Sequence, residues 1–194
     1  YIINSITAYR LIVAPVLVLL ALVHRADAFK WLLAVSFFTD AIDGYLSRQY
    51  KVTSVLGSRL DSIADDFTVI AAIVGMLVFK PEFIRQELII FGIMLGLYIL
   101  QNALALIRYG KMTSFHTYLA KAAAIMQGVF LLLIFFLTEP PYIIFYAASI
   151  LTILDLTEEF IIVLMQRRWQ TDVKGLYWII KNKNPEDHHR LEKD

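Results

Sequence analysis

The chain has 194 residues, of which 59% are hydrophobic and 18% charged, with a net charge of +1 and no cysteine. Soluble domains hold roughly 45–50% apolar residues, so this excess indicates one polytopic helical membrane domain. Disulfides and thiolate–metal chemistry are excluded. The near-neutral charge gives no ground for nucleic acid as a partner.

Residues 1–23 carry Asn4, Thr7 and Arg10 at i, i+3 and i+6 ahead of an apolar run. A signal peptide has a basic start and a small-residue cleavage site. This segment has neither and reads as a retained first span. Arg10 either snorkels to the interface or faces inward with Asn4 and Thr7. HRADAFK is the first loop. Span two runs from Trp31 to Tyr50 and span three from Leu56 to Phe79, with QYKVTSVL turning between them. KPEFIRQE is the next turn, and span four covers Leu88 to Ile107. Gln101 and Asn102 within it suit interhelical hydrogen bonding. After the basic loop RYGKMTSFHTY, span five covers Leu119 to Leu137. Pro140 and Pro141 force a sharp connection, and span six covers Ile143 to Met165. The tail from Gln166 is charged, with GLYWII as an amphipathic anchor.

The fold class is therefore all-α, a polytopic integral membrane protein of six transmembrane helices. Residues 1–167 form the transmembrane domain that holds the site, and residues 168–194 a polar tail. A cytoplasmic N-terminus places 14 of the 18 Lys and Arg residues on the inside. The positive-inside rule then puts both termini in the cytoplasm.

Five aspartates fall between residues 40 and 66, with strongly apolar flanks. Carboxylates beside a bilayer core are expensive and need partners or a function. At about 100° per residue, Asp43, Gly44 and Ser47 lie within about 60° of Asp40 on one helix face, with Arg48 at its edge. Gly57, Asp61 and Asp65 form an i, i+4, i+8 ladder on the next helix. Asp66 lies about 100° round and need not join them. An antiparallel pairing brings Asp40, Asp43, Asp61 and Asp65 together. Four like charges require a counter-ion, and carboxylate oxygens suit Mg²⁺, Mn²⁺ or Ca²⁺. Gly44 and Gly57 leave bare backbone for a phosphate to approach. Arg48 offers a planar fork to clamp it. The residues thus point to a dinuclear metal site handling a phosphate-bearing substrate at the membrane surface.

This spacing resembles the signature of the CDP-alcohol phosphotransferase family, D-x2-D-G-x2-A-R-x8-G-x3-D-x3-D. Every interval matches from Asp40 to Asp65, and Ser47 replaces the usual alanine. The Asn4, Thr7, Arg10 and Pro15 pattern is also similar to the family's first segment. The resemblance implies transfer of a phosphatidyl group from CDP-diacylglycerol to an alcohol, with release of CMP. It implies that Asp40, Asp43, Asp61 and Asp65 hold two Mg²⁺ or Mn²⁺ ions and that Asp65 is the catalytic base. Asn4, Thr7, Asp43, Gly44, Ser47, Arg48 and Gly57 would bind the nucleotide of the donor. Homodimers among membrane lipids are implied, with the active site facing the cytoplasm.

For the acceptor, Arg108, Lys111 and Lys121 would suit a phosphorylated alcohol. Lys121 in YLAKAAAIMQG resembles the lysine that opens span five in phosphatidylglycerophosphate synthases, which favours glycerol 3-phosphate. Those enzymes share an Arg–Glu pair in span four, where this chain has Gln101 and Asn102. A cardiolipin-synthase-like, amino-alcohol or inositol-phosphate acceptor stands behind. Asp155, Glu158 and Glu159 in span six read first as structural charges seeking a basic partner such as Lys121, and second as an acceptor lining. The alternative of another class is a cation channel or transporter, which would show inverted repeats and interrupted helices.

Overall fold

The computed structural model describes the backbone of residues 2–50, 55–111, 115, 117–166, 173 and 175–183. Side chains are described for these except 2–8, 41, 43–50, 55–63, 65, 66, 180, 182 and 183. Within that range every regular element is a helix: α1 Ile2–Leu22, α2 Ala26–Tyr50, α3 Val55–Phe79, α4 Pro81–Gln86, α5 Leu88–Tyr109, α6 Tyr118–Phe136, α7 Tyr142–Met165 and α8 Leu176–Lys183.

Two compact units make up the chain. One comprises Tyr1–Glu87 with Leu131–Pro141, the other Leu88–Phe130 with Tyr142–Asp194. In the first, α1 packs against α2 and α3. Its buried stripe is Arg10, Val13, Ala14, Leu17 and Ala21, at helical spacing. The facing residues are small: Ala64, Ala71 and Ala72 on α3 are all fully buried. Small side chains let helix backbones approach closely where lipid removes the hydrophobic drive. At the far end Phe29 of α2 is fully buried, edge-on to Phe79 at 5.4 Å and to Phe135 at 5.0 Å. A Cβ on Gly75 would lie 2.3 Å from the Phe29 ring, so only glycine fits beneath it.

Helix boundaries follow local chemistry. The loop before α2 is shorter than the sequence suggests, because His24 takes a left-handed turn (φ 58°) and helix resumes at Ala26. Asp27 in the first turn lies 2.6 Å from Lys30. That ammonium holds the Asp27 carboxyl below its usual range. The segment expected to be a turn at 80–87 contains α4, with Pro81 at its start, Glu82 in the first turn and Phe83 buried. Proline's fixed φ suits a first helical position. Lys80 donates to the carbonyls of Leu137 and Thr138, both at 3.1 Å, beyond the end of α6.

In the second unit α5 packs on α7, and α8 on α7. Ala105, Phe115, Ile162, Val163 and Val173 form its core. Phe145 packs against Phe91 and Phe130 at 5.4 and 5.3 Å. The Tyr109 hydroxyl lies 2.9 Å from the Val163 carbonyl and 2.8 Å from that of Gln166, covering groups that a helix end leaves open. Thr117 caps α6 by accepting the Ala120 N–H at 2.9 Å.

Helices α5 and α6 are long and apolar enough to cross a membrane. Only 17% and 22% of their apolar windows are buried, which is not how a soluble protein uses a core helix. Shorter apolar helical stretches occupy Tyr9–Leu22 and Phe67–Phe79. Ile89, Ile107, Ile125 and Ile143 are each more than 70% exposed, a surface suited to lipid.

Candidate active site

The aspartate motif lies on two helices of the first unit. Asp40, Asp43, Gly44, Ser47 and Arg48 are in α2; Gly57, Asp61 and Asp65 are in α3. Of these side chains, Asp40 alone is described. Those of Asp43, Ser47, Arg48, Asp61 and Asp65 lie outside the described residues, as do those of Asn4 and Thr7 in α1 and the surroundings of Gly44 and Gly57. The turn at 51–54 also lies outside them.

Asp40 reveals what sequence reasoning missed. Arg10 of α1 is 1% exposed, and its Nη1 donates to Asp40 Oδ1 at 2.6 Å. Of the two readings of Arg10, the structure overturns snorkelling and turns the residue inward, while the Asn4 and Thr7 side chains lie outside the described residues. The described contact of Arg10 is to the first aspartate of the motif. A clue was available, since Arg10 continues the Val13, Ala14, Leu17 and Ala21 stripe. A cation on a packing face must meet a carboxylate or comparable acceptor. The Asp40 side chain is 37% exposed, so its acid end reaches the edge of the unit while the guanidinium stays dry. Such charge-assisted bonds are about twice as strong as neutral ones. One turn before Asp40, Ser36 is fully buried, and its Oγ has no hydrogen-bond partner among the described residues.

Arg108, Lys111 and Lys121 are exposed residues of the second unit. The Lys121 ammonium sits 5.6 Å from the Tyr118 ring centroid. It pairs with none of the α7 acids, whose partners among the described residues are neutral donors. Thr117 Oγ1 lies 3.2 Å from Asp155 Oδ1, the Leu176 N–H donates to Glu158 Oε1 at 2.8 Å, and Gln101 Nε2 donates to Glu159. Gln127 adds a bond to Thr152 at 2.6 Å. Polar residues thus recur along one side of α7. Gln101 does bridge helices as its sequence context suggested, whereas Asn102 bonds within α5 to the Tyr98 carbonyl.

No three His, Asp or Glu side chains gather around a point among the described residues. The aspartate motif itself is an all-oxygen donor set, which fits a hard divalent cation.

A helical protein with lipid-suited surfaces and an acidic motif on two successive helices has the character of a membrane protein with an ionisable functional site. The comparison with known proteins makes this specific. The CDP-alcohol phosphatidyltransferase family model matches residues 1–154, and the chain belongs to that family. A CDP-diacylglycerol--inositol 3-phosphatidyltransferase of Saccharomyces cerevisiae is 34% identical over 97 residues, 50% of this chain and 42% of that one. A CDP-diacylglycerol--glycerol-3-phosphate 3-phosphatidyltransferase of Cereibacter sphaeroides is 43% identical over 75 residues, 37% of this chain and 34% of that one. A cardiolipin synthase (CMP-forming) / mitochondrial hydrolase fusion protein of Schizosaccharomyces pombe is 34% identical over 62 residues, 32% of this chain and 10% of that one. The matches thus span less than half the length of these relatives. No solved structure matches.

Proposed function

We propose that the chain transfers a phosphatidyl group from CDP-diacylglycerol to an alcohol and releases CMP. The observation that supports this most is the complete aspartate motif in a family member, with its first carboxylate gripped by a buried arginine. Asp40, Asp43, Asp61 and Asp65 would hold two Mg²⁺ or Mn²⁺ ions, which supply polarisation of the diphosphate and neutralise charge on departing CMP. The residues themselves do the rest. Arg10 fixes the orientation of Asp40 and offsets part of the motif's negative charge. Asp65 takes the proton from the acceptor hydroxyl. Arg48 donates to the donor's phosphates, and Gly44 and Gly57 admit them close to backbone. Asn4, Thr7 and Ser47 line the nucleotide.

The preferred acceptor is glycerol 3-phosphate. The name of the Cereibacter relative supports it, and Arg108, Lys111 and Lys121 are cations suited to the acceptor's phosphate. An inositol-containing acceptor is the second reading, favoured by the Saccharomyces relative, whose match reaches half of this chain. Six spans, both termini in the cytoplasm, a homodimer and a cytoplasm-facing site complete the proposal. Residues 1–167 would be the catalytic domain and 168–194 its tail.

The test is CMP release by the purified protein from CDP-diacylglycerol with Mn²⁺ and a panel of acceptors. Release that depends on glycerol 3-phosphate is expected, and Asp61→Asn should abolish it. Dependence on inositol or its phosphate instead would select the second reading. Absence of release with every acceptor, in protein shown to bind Mn²⁺, would count against the transferase and for the transporter.

A further inference from the structure

The second unit carries a groove that the proposed reaction does not use. It has a volume of about 390 Å³ and is lined by Tyr118, Leu119 and Ala122 of α6, Glu158 of α7, Gly175, and Tyr177 and Trp178 of α8. Among the described residues three aromatic rings and one carboxylate line it, and none of its walls is basic. We propose that this groove binds the ammonium head group of a zwitterionic aminophospholipid.

The placement suits a lipid head group. Tyr118 opens α6, and Glu158 stands seven residues before the end of α7 at Met165, about 10 Å along the axis at 1.5 Å per residue. The groove therefore lies near helix ends, where chain leaves the apolar spans. Tyrosine and tryptophan concentrate at that depth in membranes. Helix α8 adds Tyr177 and Trp178, edge to face at 5.8 Å.

The carboxylate is held in place by the chain itself. Glu158 Oε1 accepts the Leu176 N–H at 2.8 Å, at the start of α8. Gly175 precedes it at φ +148°, a conformation that side chains disfavour, and a Cβ there would come within 3.1 Å of the same oxygen. Glycine thus keeps the acid seated over the groove. No Lys, Arg or His pairs with Glu158 among the described residues.

The aromatic wall already shows its preference. The Lys121 ammonium rests 5.6 Å from the Tyr118 centroid, so a ring that walls the groove already attracts a cation. Aromatic faces and a carboxylate together recognise alkylammonium groups. Lys121, two positions after Leu119 and one before Ala122 on the same turn, supplies a positive charge for the adjoining phosphodiester. A zwitterionic head group satisfies both signs; an anionic one satisfies only Lys121. The proposal does not rest on the catalytic reading, with which it shares only Lys121, assigned above to the acceptor's phosphate.

The test uses the full chain in lipid nanodiscs, with Trp31→Phe and Trp169→Phe leaving Trp178 as the sole tryptophan. Its fluorescence is quenched with acyl-brominated phosphatidylethanolamine or acyl-brominated phosphatidylglycerol of identical chains. Phosphatidylethanolamine is expected to bind about threefold to tenfold better, the size of a cation–aromatic contact. Glu158→Gln keeps an oxygen for the Leu176 N–H but removes the charge, and should bring the ratio to one with an unchanged Trp178 emission maximum. Tyr118→Leu, which leaves the α8 contact untouched, should lower the ratio as well. Equal quenching by the two lipids in the parent protein, or a preference that survives Glu158→Gln, would overturn the proposal. Displacement of the brominated lipid by free ethanolamine would overturn the lipid as source.

Discussion

Arg10 and Asp40 separate two accounts of the same carboxylate. As one of four crowded acids, Asp40 should destabilise the metal-free fold, and its removal should relieve repulsion. As the partner of a guanidinium that is 1% exposed, it should stabilise that fold. The 2.6 Å contact decides for stabilisation. Breaking a buried pair typically costs about 3–5 kcal/mol, but Asp40 is partly solvated, so about 1–3 kcal/mol is expected for Asp40→Ala in metal-free protein. Arg10→Met should cost less, because the carboxylate it leaves behind can hydrate. The double variant should recover part of the loss, since neither charge then remains to be compensated. Thermal unfolding of the four proteins in detergent with chelator measures this; a stabilised Asp40→Ala would show that repulsion dominates. The aspartate spacing needed no structure to be read, because one helix period fixes it. The arginine's partner did need one, since 30 residues separate the two and no local period relates them.

Elements were legible where hydropathy and helix period agree, as in α5, whose start at Leu88 is where the apolar run begins. They were less legible where a few polar residues extend a helix past the apolar stretch. Helix α2 begins five residues before Trp31 because Asp27 and Lys30 stabilise its first turn. Helix α4 was hidden because six residues carry too little pattern to set against a charged turn. Close packing is invisible to sequence altogether, and glycines show it best. Gly75 sits under the Phe29 ring, so Gly75→Ala should force that side chain aside and cost about 1–3 kcal/mol. Gly96 in α5 has nothing within 4 Å of its would-be Cβ, so Gly96→Ala should be neutral or gain up to about 1 kcal/mol of helix propensity. Opposite signs in unfolding experiments are the expected result. Between α5 and α7, Gln101→Leu removes the donor to the buried Glu159 and should destabilise by about 1–3 kcal/mol. Glu159→Gln preserves a hydrogen-bonding partner for Gln101 and should be tolerated better. If Glu159→Gln loses as much as Gln101→Leu, the second unit needs the carboxylate of Glu159 as well as the bond.

At the scale of the whole molecule the acidic motif is split between helices that are successive in the chain, α2 and α3, with α1 packed on both. Two aspartates on each helix cannot be satisfied by one arginine, and divalent ions bridging them would tie the helices together. The proposed metal site is then a structural clamp as well as a chemical one, which lets it be examined without substrate. Binding to the folded state alone stabilises by RT ln(1 + [L]/Kd), about 2.7 kcal/mol at a hundredfold excess over Kd. Mn²⁺ should therefore raise the unfolding temperature of the parent protein, and chelation should reverse the rise. Asp61→Asn should unfold at nearly the same temperature with or without Mn²⁺, because a ligand on the α3 side is gone. Arg10→Met should keep a Mn²⁺ response but need more ion to reach it, as Asp40 loses the contact that orients it. Glu159→Gln, in the other unit, should respond as the parent does. A Mn²⁺ shift that persists in Asp61→Asn would place the ion elsewhere and remove Asp61 from the ligand set. A shift in none of the proteins, at ion concentrations that support CMP release, would mean that the ions enter only with the diphosphate of the donor.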